Sequence, residues 1–325
     1  MRISDTIHSG AVAIVGMCKN AGKTTVLNSV IKDMDDRTLA LTSIGRDGET
    51  VDVATVTPKP DVYVHEGTLF ATASDILKYC DVTTEILDTC GIYTPLGEVV
   101  AARARSDGNI QIAGPSTVEG LRKVHTVLRS FGAEITIFDG AISRKSLSVP
   151  TLCEEFILSS GASYSPSMSQ TVTDTAYFVR LFLSELADAA VCDADGKFIL
   201  FTDEEMLTAD SGAELTGIVR RKKSFRRIRL HGAVTDSIIK PLTECGLKNT
   251  ELVADDPSKL LLERKMYELC IARNIQIKVE RRSRLCAVTV NPYSAYGAAY
   301  DRNAFFDAMQ AALAGTDVPI FDVKR

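Results

Sequence analysis

The chain has 325 residues, 45% hydrophobic and 24% charged, and a formal net charge of −5. These totals suit a globular protein large enough for two cores, and they exclude a strongly basic chain drawn to nucleic acid by bulk charge. No apolar run approaches the ~20 residues of a membrane span. Eight scattered cysteines form no Cys-x-x-Cys pair and four histidines show no zinc spacing, so reduced thiols, a cytoplasmic setting and no metal site built by protein alone are expected.

In chain order, Met1-Arg-Ile-Ser-Asp5 lacks a signal-peptide pattern, because the apolar segment after it is short. That segment, Ala11 to Val15, has buried-strand length and breaks at Gly16. A helix pattern starts near Lys23, with Val26, Leu27, Val30, Ile31 and Met34 on one face. Strand, glycine loop, Gly22-Lys23-Thr24 and helix make the context of a phosphate-binding P-loop. The N–H groups of Lys19, Asn20, Ala21, Gly22 and Thr25 and the helix N-terminus would surround an anion. Lys23 would add a full charge, and Thr24 would hold Mg²⁺. Gly16 departs from the usual spacing, which puts the first glycine where Met17 stands. The loop is therefore longer by one residue or turns without that glycine.

Thr38 to Gly45 reads as a second strand, followed by Arg46-Asp47-Gly48-Glu49. Asp47 and Glu49, just past a strand end, suit a bound metal; an Asp-Gly turn with a solvated glutamate fits equally well. Residues 50–108 read as a β-rich insertion on the core sheet, a cover over the nucleotide. Strands are expected at 51–57, 61–65 and 97–103, a short helix at 73–79, and a loop contact at 67–72. Ile110 to Gly114 is a further strand. A helix follows, opened by a capping box from Ser116 to Glu119. Ile135-Thr-Ile-Phe-Asp139 has the form of a Walker B segment, whose carboxylate meets the Mg²⁺ water shell. Beyond it, Arg144, Lys145 and Ser146 suit a phosphate, an acidic partner or a solvated loop.

Residues 155–163 form another strand and 171–186 a helix. The Asn-Lys-x-Asp guanine signature is absent, which tilts the expected nucleotide to ATP, with GTP still open. Arg220 to Arg229 holds seven basic residues in ten. It suits an RNA patch or an acidic-protein contact, but a charged edge strand that resists aggregation is the favoured reading. Strands at 228–234, 250–254, 275–279 and 285–290 then alternate with helices at 235–245, 257–272 and 302–314, and a strand at 320–323 closes the chain. Asp255, Asp256, Ser258 and Lys259 lie where ligands are often met, though Asp256 before Pro257 is favourable capping chemistry.

The expected fold is therefore α/β. A P-loop NTPase-type domain at 1–187 has a mainly parallel sheet with helices on both faces. A linker at 188–226 and a smaller α/β domain at 227–325 follow.

Four stretches together resemble a known family. They are Gly16-Met-Cys-Lys-Asn-Ala-Gly-Lys-Thr-Thr-Val-Leu-Asn28, Ser43-Ile-Gly-Arg-Asp-Gly-Glu49, Asp139-Gly-Ala-Ile-Ser-Arg144 and Val288-Thr-Val-Asn-Pro-Tyr-Ser294. The family is that of P-loop proteins described as a subunit of the lysine 5,6-aminomutase reactivase, and the resemblance spans most of the chain. It implies ATP-dependent rescue of an enzyme whose cobalamin has been damaged, with the aminomutase or a reactivase ATPase subunit as partner. The Lys-Asn-x-Gly-Lys-Thr-Thr segment is also similar to the molybdopterin-guanine-dinucleotide adaptors, P-loop GTPases of the dimerising class whose loop lacks the extra residue.

The function expected from these readings is Mg²⁺-dependent ATP binding with slow hydrolysis coupled to a protein partner. Lys23 would neutralise phosphate charge, Thr24 would bind Mg²⁺, and Asp139 would hold its water shell with Asp47 as rival. Two alternatives stand beside it: an ATP-dependent ligase or kinase of the dethiobiotin-synthetase type, and a nucleotide-gated RNA binder using the 220–229 run. No membrane partner is expected, nucleic acid is disfavoured, and a homodimer stays open.

Overall fold

Ala11–Gly16 is apolar throughout and entirely buried, as a strand is when covered on both faces. The computed structural model describes residues 1–34, 36–44, 51–52, 57–58, 62–141, 150–188, 195–222, 224–297 and 299–323; side chains are described for all of these except 51–52, 57–58 and 141.

The first elements are β1 (Ala11–Gly16), α1 (Lys23–Asp33), β2 (Leu39–Ser43), β3 (Val51–Asp52), β4 (Thr57–Pro58) and β5 (Val62–Val64). They are followed by β6 (Leu69–Ala73), β7 (Thr84–Thr94), β8 (Gly97–Ala104), β9 (Gly108–Ile110) and α2 (Val118–Ser130). Next come β10 (Ile135–Ala141), β11 (Glu155–Gly161), α3 (Met168–Phe182), β12 (Glu185–Leu186), β13 (Phe198–Phe201) and β14 (Met206–Ala209). After these are α4 (Gly212–Lys222), β15 (Arg227–Leu230), β16 (Val234–Thr235), α5 (Asp236–Glu244), β17 (Thr250–Ala254) and β18 (Leu260–Leu261). The last are α6 (Arg264–Ala272), β19 (Ile275–Val279), β20 (Arg284–Asn291), α7 (Arg302–Ala312) and β21 (Ile320–Asp322).

The chain divides into two compact units, Met1–Ala176 with Ser283–Arg325, and Tyr177–Arg282. This differs from the boundaries expected at 187 and 227. The second unit starts within α3, and the last strands return to the first sheet.

In the first unit the described strands run β21-β20-β11-β1-β10-β2-β6-β8-β7. They are parallel from β21 to β6, and β8 and β7 are antiparallel. Helices cover both faces. Val26, Leu27, Val30 and Ile31 of α1 pack with Val12, Ile14, Leu39, Leu41, Ile135 and Ile137. Ala40, between Leu39 and Leu41, packs instead with Val124 and Leu128 of α2. Each such aliphatic side chain contributes about 1.5–3 kcal/mol of burial energy.

Several expectations are corrected here. The 50–108 segment, expected as an insertion on the core sheet, is largely part of that sheet. β6 pairs with β2 through Ala40↔Leu69 and Leu41↔Phe70, and β8 and β7 extend the same sheet. Leu69 to Thr72, within the stretch expected as a loop contact, belong to β6, whose five residues are all buried. The long β7 was not anticipated. Only Cys90 in it is buried and its pairing shifts register twice, so it lacks clean alternation. The helix at 73–79 is a 3-10 helix, Ser74–Tyr79. The strand at 110–114 ends at Ile110. Helix α2 is capped by Thr117, which accepts from the Gly120 N–H at 3.1 Å; Glu119 pairs with Arg122 in place of a capping box.

The second unit carries the described sheet β12-β19-β17-β15-β13-β14, with β12, β15, β17 and β19 parallel. The Arg220–Arg229 run is not an edge strand. Arg220, Arg221 and Lys222 end α4, where cations suit the helix dipole. Arg227 and Arg229 lie on β15, an interior strand, and Lys223 is outside the described residues. Arg227 and Lys278 bind Glu251 at 2.6 and 2.7 Å, and Arg229 pairs with Glu280. Burial pushes the Glu251 carboxyl up, but the two cations outweigh it and hold it below its ordinary value.

The expected helix at 257–272 is a single turn, Pro257–Lys259, followed by β18 and then α6. Asp256 caps that turn by accepting from the Ser258 N–H at 2.8 Å, as its place before Pro257 suggested. No helix among the described residues is long and apolar enough to cross a membrane.

Candidate functional site

The site is built where β1 ends and α1 begins. β1 lies between β10 and β11, and the Met17 N–H donates to the Ser159 carbonyl of β11 at 2.8 Å. The loop then turns through two left-handed residues, Asn20 at φ 60° and Gly22 at φ 101°. Gly22 is the N-cap of α1. No side chain caps that end, and its first turn holds no acidic residue. The positive end of the helix dipole is thus left to the loop.

Gly16 explains the irregular spacing. A Cβ there would lie 3.0 Å from Lys23 Cδ and 3.1 Å from Lys23 Cγ. The lysine stem therefore folds back across Gly16, and the missing side chain is what admits it. Ala21 is fully buried, and the Asn20 Nδ2 is buried without a hydrogen-bond partner among the described residues. Lys19 and Thr25 are exposed, and Thr24 is half-buried at the start of α1. Burial raises the Cys18 thiol above its ordinary value, only partly offset by the Lys23 charge. Cys18 thus supplies no competing anion in the loop.

Asp139 lies on the neighbouring strand, in register with Ile14 of β1 and Ser43 of β2. It shares parity with Ile135 and Ile137, whose side chains pack with α1, so it belongs to the α1 face of the sheet. The expected strand-then-aspartate form is corrected, since β10 continues through Gly140 and Ala141. Asp47 and Glu49, together with Arg46, Arg144, Lys145 and Ser146, lie outside the described residues.

Sequence reasoning gave Asn291 no role, yet it stands directly behind the loop. Its Cβ is 3.2 Å from where a Gly22 Cβ would be, and its carbonyl is 2.8 Å from where a Gly161 Cβ would be. The Ala162 N–H donates to that carbonyl at 2.9 Å. Two glycines on separate segments thus make room for one residue from β20, a relation only the fold reveals. Tyr164, on the loop after β11, and Gln170 of α3 donate through the hydroxyl and Nε2 to Asp174 of α3 at 2.9 and 2.6 Å. Burial and the Asp174 carboxylate push Tyr164 up to about 12, so it remains a donor.

A cavity of about 370 Å³ belongs to the second unit, at the amino ends of β15, β17 and β19. Arg227 and Glu251 in its wall are already paired, and Asn249 accepts from Asn274 Nδ2 at 2.9 Å. Its charges largely satisfy one another, and it shares no residue with the 16–25 loop.

The loop can therefore offer main-chain donors, a helix N-terminus and one lysine charge to an anion, with a carboxylate on the adjacent strand. Comparison with models of known protein families, with curated proteins and with solved structures gives no match.

Proposed function

We propose that the chain is a P-loop nucleotide-binding protein that takes Mg-ATP at residues 16–25 and hydrolyses it slowly in concert with a protein partner. The observation that carries this reading is the Lys23 stem folded across Gly16, which lays its Cγ and Cδ against the start of the loop. The residues suit the ligand: the buried Asn20 amide, without a hydrogen-bond partner among the described residues, the left-handed Gly22 and the uncapped helix end are all donors. Lys23 neutralises phosphate charge, and Gly16 leaves room for its stem. Thr24 and Asp139 would hold magnesium, which when bound withdraws charge from the phosphates. GTP remains the competing nucleotide. The family resemblance extends the reading to reactivation of a cobalamin-dependent amino-acid aminomutase, with that enzyme or a reactivase ATPase as partner.

Calorimetry of the full chain with Mg-ATP and Mg-GTP tests the core of this. Lys23→Ala is expected to lose measurable binding while keeping its circular dichroism and Tm. Wild-type affinity in the folded variant would overturn the assignment. Capture of partners from the native cytosol with and without ATP tests the coupling, expected as a nucleotide-dependent partner.

A further inference from the structure

The cavity of about 370 Å³ at the amino ends of β15, β17 and β19 is lined by polar and charged residues alone. Small-molecule sites commonly measure about 300–1,000 Å³, so it has room for a ligand. What its wall offers depends on which groups are already bound. Arg227 and Glu251 hold each other, and Lys278 takes the other Glu251 oxygen at 2.7 Å. The Thr250 hydroxyl donates to the Phe225 carbonyl at 2.9 Å.

The rest of the wall is unengaged. Asn249 and Asn274 stand one residue before β17 and β19, both in the left-handed region at φ 51° and 55°. Asn274 Nδ2 donates to Asn249 Oδ1. That bond orients both amides and leaves Asn249 Nδ2 as a donor and Asn274 Oδ1 as an acceptor. The side chains of Gln276, Arg226 and Asp188 make no hydrogen bond or ion pair among the described residues. The open groups are thus one full positive charge, one full negative charge and three amides.

Ligand classes meet this set differently. A phosphate or a dicarboxylate would find Arg226, but it would also face the Asp188 and Glu251 carboxylates, and like charges brought together in one site repel. A neutral sugar would satisfy the amides and leave both charges unmatched. A zwitterion matches both.

We propose that this cavity binds a free polar α-amino acid. The ligand carboxylate accepts from Arg226 and Asn249 Nδ2, and its ammonium donates to Asp188 and Asn274 Oδ1. With no apolar residue in the wall, the side chain of the bound amino acid is polar, and Gln276 is its partner. The site uses no residue of the 16–25 loop and does not depend on the nucleotide reading.

Calorimetry of the full chain with glutamine as probe tests this, beside N-acetylglutamine, which lacks the ammonium, and glutamine methyl ester, which lacks the carboxylate. Glutamine is expected to bind saturably and each blocked form at least about tenfold more weakly. Arg226→Gln is expected to weaken glutamine binding about tenfold and to stop distinguishing it from the methyl ester. Asp188→Asn is expected to stop distinguishing it from N-acetylglutamine. Both side chains are exposed, so both variants are expected to keep the wild-type Tm; should one not fold, the other and the blocked ligands decide. No saturable binding of glutamine, blocked forms that bind the wild type as tightly as glutamine does, or leucine bound as tightly as glutamine would each overturn the proposal.

Discussion

At the scale of single residues, Gly16 and Lys23 form one device. Gly16→Ala places a methyl 3.0 Å from Cδ of the flexible Lys23 stem and 3.1 Å from the Cys18 carbonyl. The stem can move, so the fold is expected to survive with a small change in Tm, while Mg-ATP affinity falls at least about tenfold as the charge is displaced. Calorimetry beside a melting curve checks it, and a large Tm loss would show that Gly16 serves packing instead. Asp139→Asn removes a carboxylate on the α1 face. It is expected to weaken Mg²⁺-dependent binding but to spare binding measured with EDTA present; equal losses in both would deny it a metal role. The strand, turn and helix around Lys23 were legible in the sequence, because they are contiguous. Asn291 was not, since it lies far along the chain and only folding packs it against Gly22 and Gly161.

At the scale of elements, one buried carboxylate ties three segments together. Glu155, 6% exposed in its side chain, accepts from the His8 and Ser9 N–H groups at 2.8 and 3.0 Å and from Arg284 at 2.5 Å. Burial pushes its carboxyl up, but these donors outweigh it and leave it below its ordinary value of 4.5. A lowered folded pKa means stability that is present above the unfolded value and lost as pH falls through the folded one. Glu155→Gln is therefore expected to cost about 2 kcal/mol at pH 7, below the ~3–5 of a fully buried pair because Arg284 is half exposed. The deficit should shrink below pH 4.5. Urea denaturation at pH 7 and pH 3 measures both, and a pH-independent deficit would contradict the charge-based account. Elements with unbroken patterns, such as β1 and α1, were legible. β7 was not, because its residues are half exposed and Cys90-Gly91 interrupts any alternation. The 220–229 run misled for a related reason: its charges are shared between a helix end and an interior strand whose ion-pair partners, Glu251 and Glu280, lie on or just after other strands.

At the scale of the whole chain, the alternating α/β rhythm is plain in the sequence, but the partner of each strand is not. Leu285-Cys-Ala-Val-Thr-Val290 is buried on both faces. Such a run fits any interior position of a parallel sheet, so periodicity cannot say that it returns to β11. That return makes Tyr177–Arg282 an inserted unit between α3 and β20, and it sets what can fold alone. A chain of residues 1–187 lacks β20 beside β11, leaving Phe156, Ile157 and Leu158 on a new edge and Glu155 without Arg284. Losing the burial of Leu285, Val288 and Val290 alone removes several kcal/mol at about 1.5–3 each, against a total stability of about 5–15. The truncated chain is expected to aggregate and to bind no Mg-ATP. A chain in which residues 177–282 are replaced by a flexible linker retains every strand of the first sheet, and it is expected to unfold cooperatively and to bind Mg-ATP. Circular dichroism melts and calorimetry on both chains decide the matter. A 1–187 chain that folds and binds like the full chain would restore the boundary read from sequence and leave β20 and β21 as dispensable additions to the sheet.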